Sequence, residues 1–294
     1  MTQARELFVF GPGYSAGHYA RSRAQAWGRI HASVRGRDTR DSLRAEGFDA
    51  YALEEDGDDA PLRAALRRCT HALVSAPPGE AGDPILLRLR DALEEAPALS
   101  RIVYLSTVGV YGDHAGAWID ESAELRAGNP RSLWRRAAEE EWLALGRKRG
   151  ARVQVLRLAG IYGPGQNALA NLKAGAAKRI IKPGQVFNRI HIEDIARAID
   201  AAFAYEGPSA AWNVSDDEPA PPQDVVTFAA QLLDVAPPPE IPFEEAALSP
   251  MARSFYSECK RVSNRAMKEK LGVRLAYPTY REALRAMLAA GEGR

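Results

Sequence analysis

Short runs of consecutive apolar residues alternate with longer stretches in which apolar positions recur every three or four residues. This rhythm persists through roughly the first half of the chain. Residues 7–10 are wholly apolar and end in glycines, the pattern of a strand buried on both faces. Residues 16–27 follow as a helix, 29–35 as a second strand, 48–53 as a weaker third and 61–68 as a short helix. A fourth strand, 71–76, is closed by Pro77 and Pro78, and residues 84–95 place Ile85, Leu86, Leu89 and Leu93 at helical spacing. Residues 101–106 form the fifth strand, 132–149 the next helix and 152–158 the sixth strand. Strands alternating with helices at this rhythm predict a parallel α/β sheet covered on both faces.

Beyond Tyr162 the rhythm breaks. Gly163-Pro164-Gly165 is a turn, residues 167–179 read as a helix, 186–192 and 193–204 as a strand and helix, and 211–214 as a short strand. From Pro219 onward the chain is mostly helical with proline-rich joints. The expected organisation is a core over residues 1–162, to which 186–206 return. Residues 163–185 and 207–294 then form a smaller, discontinuous C-terminal lobe that binds substrate.

Composition changes this picture little. The 294 residues are 46% hydrophobic and 26% charged, ordinary for a globular protein with a sizeable core. A formal net charge of +1 argues against a nucleic-acid or membrane partner and leaves a small-molecule substrate as the expected one. No apolar run reaches the roughly 18–20 residues of a membrane span, and the first strand begins too early for a signal peptide. Cys69 and Cys259 stand far apart in unrelated contexts and read as reduced residues, so a cytoplasmic location is expected. Oligomeric state has no signature here.

Gly11-Pro12-Gly13-Tyr14-Ser15-Ala16 runs from the first strand into the first helix and matches G-x-G-x-x-A. Gly11 permits the tight turn, Gly13 lets the backbone approach a pyrophosphate, and Ala16 allows close helix–strand contact. The amides of Tyr14 and Ser15 open a helix whose N-terminus attracts phosphate. The core is thus a Rossmann-type, doubly wound sheet. At the end of the second strand stands Ser33-Val34-Arg35-Gly36-Arg37, with no acid before Asp38. A carboxylate there would bond ribose hydroxyls, whereas a guanidinium accommodates a 2′-phosphate, so NADP is favoured over NAD. The competing reading is a loop bearing two solvated arginines.

Six loose motifs occur in order: the glycine loop, residues 106–112, residues 157–165, residues 189–196, Trp212-Asn213-Val214, and Lys260-Arg261 followed by Leu271-Gly272. Together they resemble the extended short-chain dehydrogenase/reductases, the NAD-dependent epimerase/dehydratase group. The resemblance implies a substrate-binding role for Thr107 and places Ser106, Ser75 and Ala76 along the cofactor. It also places Tyr162 at the turn leaving the nicotinamide pocket. One part departs from the family pattern. In the stretch from Asn129 to Trp142 the family's Tyr-x-x-x-Lys is absent, the tyrosine position falling on Arg131 or Ser132 and the lysine position on Arg135 or Arg136. Arginine, with a pKa above ~12, cannot exchange a proton near neutrality. The chain therefore resembles the atypical branch of the family.

Tyr111, Tyr162 and His114 are the remaining candidates for a proton carrier, each with a plain packing or surface reading. Asp120 and Glu121 read as capping residues, and His191 as a packed, hydrogen-bonded one. No His, Cys and acidic residues fall at metal-ligand spacing, and neither a G-x-S-x-G elbow nor a P-loop occurs. The expected function is an NAD(P)-binding oxidoreductase or epimerase/dehydratase-like enzyme on a small polar substrate, such as a sugar or sugar nucleotide. The alternative is a non-catalytic NADP-binding sensor or scaffold.

Overall fold

The computed structural model describes residues 5–53 and 57–293. Its first elements are β1 (Glu6–Phe10), α1 (Tyr14–Ser22), β2 (Arg29–Val34), α2 (Arg37–Ala45), β3 (Asp49–Ala52) and α3 (Ala60–Leu66). Then come β4 (His71–Val74), α4 (Pro84–Glu95), β5 (Arg101–Thr107), β6 (Trp118–Ile119), α5 (Pro130–Arg149) and β7 (Arg152–Leu158). The remainder includes β8 (Gly160–Tyr162), α6 (Ala168–Lys173), β9 (Arg179–Ile181), β10 (Arg189–His191), α7 (Ile192–Ala204), β11 (Ala210–Val214) and α8 (Pro222–Leu232).

Seven strands form one sheet in the order β11-β7-β5-β4-β1-β2-β3, and β1 pairs in parallel with both β2 and β4. The order reverses at β1, which is the switch point of a Rossmann-type doubly wound sheet. The core expected from the apolar runs is present. Phe8, Phe10, Val74, Tyr104 and Val155 of the strands pack with Leu66, Ile85, Leu89 and Trp142 of the helices. α4 starts where it does because Asp83 accepts hydrogen bonds from the Ile85 and Leu86 amides while its other oxygen takes the Trp142 indole N–H at 2.9 Å.

The chain divides into two compact units. One comprises Met1–Thr107, Asn129–Arg157 and Ala198–Trp212, the other Val108–Gly128, Leu158–Arg197 and Asn213–Arg294. The boundaries differ from those expected from the sequence, because 108–128, 158–162 and most of 186–206 fall in the second unit. Packing explains this. Val110, Tyr111 and Ile119 form a cluster with Val262, β6 pairs with Arg261–Val262, and the Lys260 ammonium donates to the Gly112 carbonyl at 2.7 Å. Tyr162 at the end of β8 packs with Leu169 and Tyr280, and β8 pairs with β10.

Two local readings are corrected. Arg37 opens α2 instead of lying in a loop; that helix buries only Leu43, so it has no apolar period to detect. The helix expected over 167–179 ends at Lys173, where Gly175 takes φ +65°, and β9 begins at Arg179.

Candidate functional site

The glycine loop sits at the carboxyl ends of β1, β2 and β4. Gly11 adopts φ +75°, and a Cβ on it would stand 3.0 Å from the Ala76 amide nitrogen and 3.2 Å from the Ala76 Cα. Both the left-handed conformation and the close approach require glycine. The Gly11 amide donates to the Ser33 carbonyl, and the amides of Ser75 and Ala76 both donate to Phe10. Gly11, Ser75 and Ala76 therefore lie on one ledge. Gly13 caps α1 and is exposed, and nothing lies closer to a Cβ built there than the Gly11 carbonyl oxygen at 4.0 Å. Tyr14 and Ser15 start the helix and Ala16 is fully buried beneath it, with no acid in the first turn. Such a helix N-terminus, with an open approach, suits an anion. Arg35 is exposed just past β2, with no hydrogen bond or ion pair to the described residues; Gly36 behind it caps α2 without a side-chain bond.

β5 delivers Ser106 and Thr107 to opposite faces of the strand. Thr107 is half-buried at the strand end. Ser106 is buried, and its hydroxyl donates to Glu139 of α5. Glu139 also takes a forked bond from Arg157, 2.7 Å from Nη2 and 3.2 Å from Nε, with both side chains almost fully buried. Glu139 is thus a structural anchor. Arg135, one turn earlier, donates through Nη1 to the Leu105 carbonyl at 2.9 Å and to the Tyr104 hydroxyl at 3.2 Å. Arg136 is exposed and turned to Glu140. Arg135 therefore faces β5, whereas Arg136 does not. The residue four positions earlier, in the same register, is Arg131.

Tyr111 and Tyr162 belong to the second unit. Tyr111 is fully buried and its hydroxyl donates to Asn213 at 2.7 Å, while Glu121 accepts from the Asn213 amide. Burial, with Asp216 and Asp194 nearby, raises the Tyr162 phenol well above the usual tyrosine range, opposite to what a proton donor requires. His114 bonds the Glu124 carbonyl, Asp120 bonds the Ser122 amide, and buried His191 accepts from the Glu193 amide and packs on Tyr277. The turn after Tyr162 is closed by paired Gly163 and Gln166 backbone bonds, and Asn167 caps α6.

One grouping escapes sequence spacing. Glu6, His31 and Cys69 each bring a potential ligand atom within 4.8 Å of the others. Their bonding already has a simple account: the His31 Nε2 and Glu6 carboxylate are 3.0 Å apart, and burial raises the Cys69 thiol and lowers the imidazole. Both cysteines are free, and no helix among the described residues is long and apolar enough to cross a membrane.

Residues 85–215 match the model of the NAD dependent epimerase/dehydratase family. A solved structure of a conserved protein of unknown function from Silicibacter pomeroyi DSS superposes with a TM-score of 0.89 at 45% identity, covering 98% of this chain and 99% of that one. A UDP-glucuronic acid 4-epimerase from Bacillus cereus, in complex with NAD, shares the fold, with a TM-score of 0.74 at 14% identity and 96% of each chain covered. In sequence, the protein YeeZ of Escherichia coli K12 is 28% identical over 227 residues, covering 73% of this chain and 78% of its own. A 3-diazoavenalumate denitrifying reductase from a Streptomyces species is 28% identical over 181 residues, 56% of this chain and 58% of its own.

Proposed function

We propose that this chain, whose residues 85–215 match the NAD dependent epimerase/dehydratase family model, is an NADP-preferring oxidoreductase or epimerase-like enzyme acting on a small polar substrate, of the sugar or sugar-nucleotide class. The observation that carries the reading is the ledge of Gly11 and Ala76 beside the open N-terminus of α1, a cradle that a Cβ would fill. The residues present fit a dinucleotide. Gly11, Gly13 and the first amides of α1 would hold the pyrophosphate, Ser75 and Ala76 would flank the adjoining ribose, and Ser106 would back this wall through its main chain. Exposed Arg35 would take a 2′-phosphate. The cofactor, when bound, supplies the hydride acceptor or donor. Thr107 at the strand end would orient a substrate hydroxyl or carbonyl, and Arg135 has donors left for a ribose.

Two predictions test this. Fluorescence titration should show NADPH binding about tenfold tighter than NADH, with Arg35→Ala removing most of that preference. Tighter NADH binding by the unaltered protein would overturn the NADP assignment. Gly11→Ala should weaken binding of either nucleotide by at least about tenfold, because the loop must leave both its left-handed φ and its contact with Ala76. Undiminished affinity in that variant would remove the cradle from the argument. Loss of turnover in Thr107→Ala would then support the catalytic half.

A second reading, a non-catalytic NADP-binding sensor or scaffold, is favoured by one set of observations. α5 contains no tyrosine, the Tyr111 hydroxyl is committed to Asn213, and the Tyr162 phenol is raised. Stoichiometric oxidation of NADPH by a defined substrate would exclude it.

A further inference from the structure

Within the second unit, α6, β10, α8 and the C-terminal helix Tyr280–Ala289 surround a cavity of about 490 Å³, the size of a small-molecule site. Arg189 and Lys178 are the charged side chains on its wall, and no acid lines it. Arg189 is half-buried. Its Nη1 donates to the Phe187 carbonyl at 2.9 Å and the Ala220 carbonyl at 3.1 Å, and its guanidinium lies 6.0 Å from the Tyr280 ring. Its Nε and Nη2 make no hydrogen bond to the described residues, and no carboxylate comes within ion-pair distance of it. Of the acids near this wall, two are engaged elsewhere, while Asp216 attracts Arg189 without bonding it and keeps one oxygen without a partner. Glu292 accepts from Gly165 and Asn167, Glu218 pairs with Arg281, and Asp216 is buried with one oxygen on the Glu218 amide. A guanidinium taken partly out of water with no carboxylate bonded to it is costly, and an anion supplied from outside offsets that cost. Val225 and Leu284 give the same cavity an apolar side. The Tyr162 and Tyr280 hydroxyls behind the wall have no protein partner.

We propose that this cavity is a receptor for a small organic carboxylate, its two oxygens held side-on by the Nε–Nη2 edge of Arg189 and its apolar body laid against Val225 and Leu284. Lys178, exposed at the rim, adds attraction without a fixed bond. An inorganic anion would satisfy the guanidinium and leave the apolar side unmatched. Every contact lies in the second unit, so the site needs neither the glycine loop nor a bound dinucleotide.

Isothermal titration of the full chain with 3-phenylpropionate, its neutral amide, inorganic phosphate and UDP tests this. The carboxylate should bind at least about tenfold more tightly than the amide or phosphate, and Arg189→Gln should abolish the difference while Arg189→Lys restores part of it. Arg35→Ala should leave carboxylate binding unchanged, so failure of the cofactor reading and failure of this one remain distinguishable. Should Arg189→Gln not fold, the acid-to-amide ratio on the unaltered chain decides alone. No saturable carboxylate binding up to roughly 20 mM, far above the range of a modest pocket, would overturn the proposal. Equal binding of acid and amide would overturn it too, as would UDP outcompeting the carboxylate.

Discussion

Replacing Glu139 by alanine is expected to destabilise the first unit by about 3–5 kcal/mol, the range for removing one partner of a buried ion pair. The Arg157 and Glu139 side chains are 8% and 3% exposed, so water cannot solvate the guanidinium left behind. Ser106 would lose its acceptor in the same step. Paired replacement, Glu139→Leu with Arg157→Met, removes both charges and should recover most of the loss, since a hydrophobic pair of similar volume often matches a buried ion pair. Urea denaturation of the three proteins measures this directly. A Glu139→Ala cost below about 1 kcal/mol would mean that the pair is compensated elsewhere.

The second large effect is a pH dependence centred on Asp216. This residue is 2% exposed, and burial pushes its carboxyl from the ordinary 3.8 up to about 8, against the opposing pull of the Glu218 amide and Arg189. A carboxyl raised in the folded state favours folding while it is protonated. Its contribution is complete below about pH 4 and is lost as pH rises towards 8, a swing on the order of several kcal/mol. Asp216→Asn keeps an acceptor for the Glu218 amide and removes the titration. The variant should therefore lose less stability than the unaltered protein between pH 5 and pH 9 and should be the more stable of the two at the alkaline end. Parallel stability curves for the two proteins would refute the assignment of the titration to Asp216.

Much of the first unit is legible in the residues themselves. The run 7–10 is apolar throughout because both faces of the strand are covered, and α4 announces itself through Asp83, Pro84 and the spacing of Ile85, Leu89 and Leu93. α2 stays hidden because a helix that buries only Leu43 has no periodic stripe. The short β8 and β9 are three-residue strands that no local pattern separates from loop, whereas β10 falls within the strand read over 186–192. Among candidate site residues, the turn at Gly11 and Gly13 could be read directly, since a strand, a tight turn and a helix start are all local events. The burial of Ser106 against Glu139, the choice of Arg135 over Arg136, and the commitment of Tyr111 to Asn213 could not.

The chain by itself therefore determined the sheet and the glycine turn between β1 and α1. Each of these is written in the identity and spacing of near neighbours. The tertiary structure alone decided which charges are paired. Glu139 acquires Arg157, and Glu6 meets His31 beside Cys69, whereas Arg189 lines a cavity with no carboxylate bonded to it. Those outcomes depend on which distant segments come to share a desolvated space, where a charge must find a partner or a ligand. No periodicity along the sequence encodes that meeting.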